Sequence, residues 1–143
     1  MMHRAFRHLA AATTTAAAVL FPGTTPAPAP VPTCGSNNGV SIDDFLVWDG
    51  PGQEGSVPVR IPVPCDEDRT ITYRTYDITA KAGEDYVGVT SGSIVVPAGA
   101  TSVSIKIQII ADTKPEPRET FGVRLVSGAD FDDADAEGTI YDN

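Results

Sequence analysis

Two stretches decide how this chain is read: Tyr73-Arg74-Thr75-Tyr76-Asp77-Ile78-Thr79-Ala80-Lys81-Ala82-Gly83-Glu84-Asp85-Tyr86 and Ile109-Ile110-Ala111-Asp112-Thr113-Lys114-Pro115-Glu116-Pro117-Arg118-Glu119-Thr120-Phe121. Each leaves a β-rich segment and enters an acidic bend containing Gly or Pro. Outward from them, short apolar-alternating runs are separated by turn residues at intervals of about ten, the pattern of a β-sandwich. Seven strands are predicted, over Val40–Trp48, Ser56–Val63, Arg69–Tyr76, Gly92–Val96, Ser102–Ile110, Thr120–Val126 and Ala136–Tyr141. Val103, Ile105, Ile107 and Ile109 alternate with Ser104, Lys106 and Gln108, which places the first set on a buried face. Phe121, Val123 and Leu125 do the same against Gly122, Arg124 and Val126. No segment sustains a helical period. Pro97-Ala98-Gly99 suggests a tight turn with Pro second and Gly fourth.

If every connection reverses the chain, the odd-numbered strands all end at one pole. Asp49, Asp77, Asp112 and Asp142 follow those strands, and Glu116 and Glu119 lie in a connection that departs from the same pole. Two carboxylates about 4 Å apart repel by about 4 kcal/mol at an effective dielectric near 20. Only Lys114 and Arg118 lie near in sequence. Calcium, which takes six to eight oxygen ligands from flexible loops, is the natural compensating ion. Solvated strand ends that fan apart are the competing reading.

The ends of the chain speak to where it works. Arg4 and Arg7 precede a mostly Ala, Val and Leu run from Leu9 to Phe21, followed by a Pro/Ala-rich exit. Residues 1–33 are therefore expected to be a secretory signal and linker, and residues 34–143 the domain. The apolar run is too short and too polar to span a bilayer. Without residues 1–33, which hold two Arg and no acid, 8 basic and 19 acidic side chains remain, a net charge of −11. Such a balance disfavours nucleic acid and anionic membranes and favours cations or basic partners.

Both histidines, His3 and His8, belong to the leader, so the domain lacks the commonest general base. No Gly-rich phosphate loop is present, and an enzyme is not expected. Cys34 and Cys65 in an exported chain predict a disulfide, which would contribute on the order of 3 kcal/mol by closing about 30 residues. Parity puts both cysteines at the pole opposite the acids. Asp130 to Gly138 suggests an EF-hand loop, but the acid required at its twelfth position would fall beyond Asn143, so it reads as a solvated acidic loop.

The two opening stretches, together with Ser91-Gly92-Ser93-Ile94 and Pro97-Ala98-Gly99, closely resemble the Calx-beta domain. The likeness runs from about Val40 to Asn143. That family includes regulatory calcium-binding domains of sodium/calcium exchangers and modules of bacterial surface and secreted proteins. The resemblance implies a seven-stranded antiparallel immunoglobulin-like β-sandwich that holds calcium at one pole. On the family's pattern Asp77, Asp112, Glu116, Glu119 and Asp142 match ligand acids, and Asp49 matches the acid after the first strand, with Glu54 as a rival placement. Ala111 and Thr113 stand where exchanger domains carry acids, which implies one or two ions. Gly83 is expected to take a backbone conformation closed to other residues, Tyr86 to pack with its hydroxyl tied to backbone, and Trp48 to sit in the core or its rim. The function expected is that of a secreted calcium-binding module serving cell adhesion or communication. The alternative is a calcium-independent adhesive or structural module that binds an extracellular protein or glycan.

Overall fold

The computed structural model describes Gly23, residues 25–27, Cys34 and residues 39–142. Most of the expected signal and linker therefore lies outside the described residues. Nine strands follow in order: β1 Val40–Ile42, β2 Phe45–Trp48, β3 Glu54–Arg60, β4 Arg69–Asp77, β5 Gly92–Val96, β6 Ser102–Gln108, β7 Glu119–Ser127, β8 Phe131–Asp133 and β9 Asp135–Tyr141. They form a sandwich of a four-stranded sheet, β6-β3-β1-β8, and a five-stranded sheet, β2-β9-β7-β4-β5. Among the described residues no helix is long and apolar enough to cross a membrane.

Nine strands replace the seven expected, for two local reasons. Val40–Trp48 is not continuous, because Asp43 and Asp44 are claimed by different sheets. The Asp43 amide donates to the Pro58 carbonyl at 3.0 Å and its carboxylate pairs with Arg60, both on β3. Asp44 Oδ1 instead accepts from the Glu137 amide of β9 at 2.7 Å. The chain thus crosses between the sheets at this dipeptide. The acidic loop read as solvated also contributes β8, which pairs parallel with β1. Nor is the sandwich wholly antiparallel: β2 runs parallel to β9, with Trp48 opposite Tyr141.

The core follows the expected alternation. Ile105, Ile107 and Ile109 are buried from β6 and the bridge beyond it, as are Phe121, Val123 and Leu125 from β7. Phe121 is the hub: its ring stacks on Tyr86 at 4.2 Å and meets Phe45 edge-on at 5.6 Å. The turn after β5 begins on Pro97 itself, since the Ala100 amide donates to the Pro97 carbonyl at 3.0 Å. Gly99 is then third, not fourth, and its φ of 77° is the reason for a glycine there. Cys34 and Cys65 are joined, with Cα atoms 4.8 Å apart, well within the usual span of a disulfide. This bridge ties the start of the domain to the connection before β4, at the end of the sandwich where β4 begins.

Candidate metal centre

The opposite end is built by strands that finish or start together. Because β2 and β9 are parallel, Asp49 and Asp142 emerge side by side, and the Asp49 amide donates to the Tyr141 carbonyl at 2.7 Å. The β6–β7 connection brings Asp112 and Glu116, and the Glu116 amide donates to Asp142 Oδ2 at 3.0 Å. Asp112 Oδ1 caps its own bend by accepting from the Lys114 amide at 2.7 Å. Glu119 opens β7 opposite Ile140. The sixth acid, Asp85, comes from the excursion between β4 and β5. There Tyr86 bridges to Ile109, and the Ile110 amide donates to the Asp85 carbonyl at 3.0 Å.

Asp49, Asp85, Asp112, Glu116, Glu119 and Asp142 line one cleft of about 20 Å³, walled on its apolar side by Ile110, Pro117 and Ile140. That volume suits a single water-sized occupant. One carboxylate oxygen from each of Asp85, Glu116 and Glu119 lies within 4.8 Å of the others. At that separation each like-charged pair costs about 3 kcal/mol at an effective dielectric near 20. Burial, then the charge of Asp85 and a hydrogen bond with it, and then Glu116, hold the Glu119 carboxyl above the usual carboxylate range. Asp49 Oδ1 is buried with no hydrogen-bond partner among the described residues. A buried carboxylate oxygen so placed needs a donor or a cation to satisfy it. Lys114 and Arg118 form no ion pair among the described residues, whereas Arg60 and Arg124 pair with Asp43 and Asp135.

Five of the acids expected from strand polarity thus meet here, and Glu54, the rival to Asp49, does not; it opens β3 opposite Gln108. Asp77 also stands apart from the cleft. Its Oδ1 accepts from the Tyr86 hydroxyl at 2.5 Å and from the Ala82 amide at 2.9 Å. These two donors, the hydroxyl foremost, hold the Asp77 carboxyl below its ordinary range. Tyr86 is fully buried, and its hydroxyl is tied to this side chain rather than to backbone. The pair clasps the base of the excursion that carries Asp85, while Gly83, at φ 88°, turns its tip. Counting strand ends could not find Asp85, because it ends no strand. Its signal was its place in the Ala-Gly-x-Asp-Tyr run, next to a tyrosine that has to be buried. Tyr86→Phe is expected to lower the urea midpoint, since the buried ring loses the hydroxyl that ties it to the Asp77 carboxylate; an unchanged midpoint would show that the clasp holds nothing.

The family model of the Calx-beta domain matches residues 51–143. The chain belongs to the Calx-beta family. Its nearest described strands before that span, β1 and β2, complete the two sheets of this Calx-beta domain. A 58-residue segment, 41% of the chain, is 43% identical to the adhesion G-protein coupled receptor V1 of Danio rerio. The match spans about 1% of that receptor. Among solved structures, CBD12 from CALX1.2 superposes with a TM-score of 0.62 at 26% identity, covering 72% of this chain and 44% of that one. The apo form of the Calx CBD1 domain superposes with a TM-score of 0.56 at 26% identity, covering 73% of this chain and 97% of that one. Calcium binding domain CBD12 of CALX1.1 is similar at a TM-score of 0.62 and 26% identity, covering 71% of this chain and 44% of that one.

Proposed function

We propose that this Calx-beta domain is an exported, non-enzymatic module that binds calcium through Asp49, Asp85, Asp112, Glu116, Glu119 and Asp142. The observation that carries this reading is the meeting of these six acids around one small cleft, with an orphaned, buried Asp49 oxygen among them. Hard oxygen donors from loops of different origin suit calcium better than softer, geometrically stricter metals. Bound there, calcium would neutralise the mutual repulsion and link four separate pieces of chain: the ends of β2 and β9, the β6–β7 connection and the excursion after β4. The similarity to a calcium binding domain of CALX1.1 supports the same ion.

Asp77 acts in this reading as a positioning residue for the Asp85 segment and not as a ligand. Export is supported by the basic, then apolar, then Pro-rich N-terminus and by the Cys34–Cys65 bridge. An absence of catalysis is supported by the want of any histidine after His8 and by the pairing of both cysteines. Isothermal calorimetry of the chain with calcium chloride tests the proposal. Saturable heat with a stoichiometry of one or two is expected, abolished or weakened at least about tenfold in Asp112→Asn/Glu116→Gln. Heat that matches buffer dilution at millimolar calcium rejects it.

A further inference from the structure

The outer face of the five-stranded sheet carries a second feature, along β2 and β9. Leu46 and Trp48 point outward from the edge strand and are 64% and 54% exposed. With Tyr141 beside them, the two make one contiguous apolar and aromatic stripe instead of single scattered side chains. Trp48, expected in the core or its rim, lies instead against Tyr141, with ring centroids 5.3 Å apart and a 40° tilt. Behind them a shallow depression of about 370 Å³ is lined by Asp44, Phe45, Leu46, Glu137, Thr139 and Tyr141. Its charges are all negative. Asp44 and Glu137 mark one end, linked by the Glu137 amide, and Asp49 and Asp142 follow the aromatic pair at the other.

We propose that this stripe is a docking surface for an extended, basic protein segment, with an Arg or Lys over Trp48 and Tyr141 and an apolar side chain against Leu46. Charge complementarity selects this occupant. An exposed indole beside a phenol attracts a cation to its face, and a guanidinium also stacks there. Asp44 and Glu137 beside the stripe, on a strongly acidic domain, attract the same partner from a distance. From the Asp44 row to the Trp48 row is four residues, roughly 13 Å, which matches about four residues of extended chain. The 40° tilt of the rings offers no flat platform shared by the two, and the flanking acids favour a cation over a neutral sugar. A second copy would bring the same acids against these acids.

Trp48 is the only tryptophan of the chain, so its emission reports directly on the stripe. The probe is a blocked hexapeptide alternating Arg and Leu, with an alternating Glu and Leu hexapeptide and a neutral hexasaccharide as comparisons, all at fixed calcium. The basic peptide is expected to change Trp48 emission saturably and to bind more weakly as salt rises. Peptide anisotropy is expected to show about tenfold weaker binding to Trp48→Ala and about threefold weaker binding to Glu137→Gln. Both side chains are exposed, so the two variants should melt like the parent. No saturable response, an equal response to the acidic peptide, or undiminished binding to both variants would overturn the proposal. So would saturable binding of the saccharide in place of the peptide, or Trp48 emission that changes only with protein self-association in sedimentation.

Discussion

Saturating calcium is expected to raise the melting temperature of this domain by about 10–20 °C over a chelator control. An ion at about one hundred times its dissociation constant adds about 2.7 kcal/mol to the folded state when the unfolded chain does not bind it. In a domain of about 100 residues each kcal/mol moves the midpoint by about 4–8 °C. The sign of the variant effects makes the test specific. In chelator, the like charges of Asp85, Glu116 and Glu119 oppose one another within 4.8 Å, a cost that a bound cation would remove. Asp112→Asn/Glu116→Gln should therefore melt no lower than the parent in chelator, while losing most of the response to calcium. A variant that falls in chelator and still responds to calcium would mean that these two side chains are structural. A parent domain whose midpoint is the same in chelator and in millimolar calcium would remove the ion from its biology altogether.

Phe121→Ala is expected to cost about 4 kcal/mol, read as a lower urea midpoint with an unchanged slope. Phe121 is fully buried and touches rings from two other parts of the chain, Tyr86 in the excursion after β4 and Phe45 in β2. Truncation removes the transfer energy of the ring and leaves a cavity that neither neighbour can fill. The consequence reaches the acidic end, because Phe121 stands two residues from Glu119 and its stacking partner follows Asp85. Calcium affinity should drop as well. A loss below about 1 kcal/mol would mean that the three rings repack freely around the gap.

Period-two alternation made most of this architecture legible. Ile105 to Ile109 and Phe121 to Leu125 face inward as their spacing demands. What alternation does not encode is which sheet a strand joins. The alternation of Val40–Trp48 slips by one residue at Asp43-Asp44, but the slip does not say that the chain changes sheets; it does so because each acid finds its partner on a different sheet. β8 was hidden for a similar reason: Phe131-Asp132-Asp133 has little to bury, and its pairing with β1 is a tertiary event. At the acidic end, strand polarity was informative wherever a carboxylate directly follows or precedes a strand, as for Asp49 and Asp142. It misdirected at Asp77, which does end β4 but turns to a buried hydroxyl. It was silent on Asp85, which reaches the cleft by a fold of the chain rather than by a strand.

The parallel pairing of β1 with β8 and of β2 with β9 also governs how the domain would carry a pull. Tension on such a pair slides one strand past the other, so the rungs between them resist in shear, all at once, instead of parting one after another. The Cys34–Cys65 bridge redirects that load. With the bridge closed, a pull entering ahead of Cys34 passes straight to Cys65, and β1, β2 and β3 hang slack within the closed loop. Once the bridge is reduced, the same pull falls on β1 and β2, so the thiol state decides which strands hold the domain together under stretch.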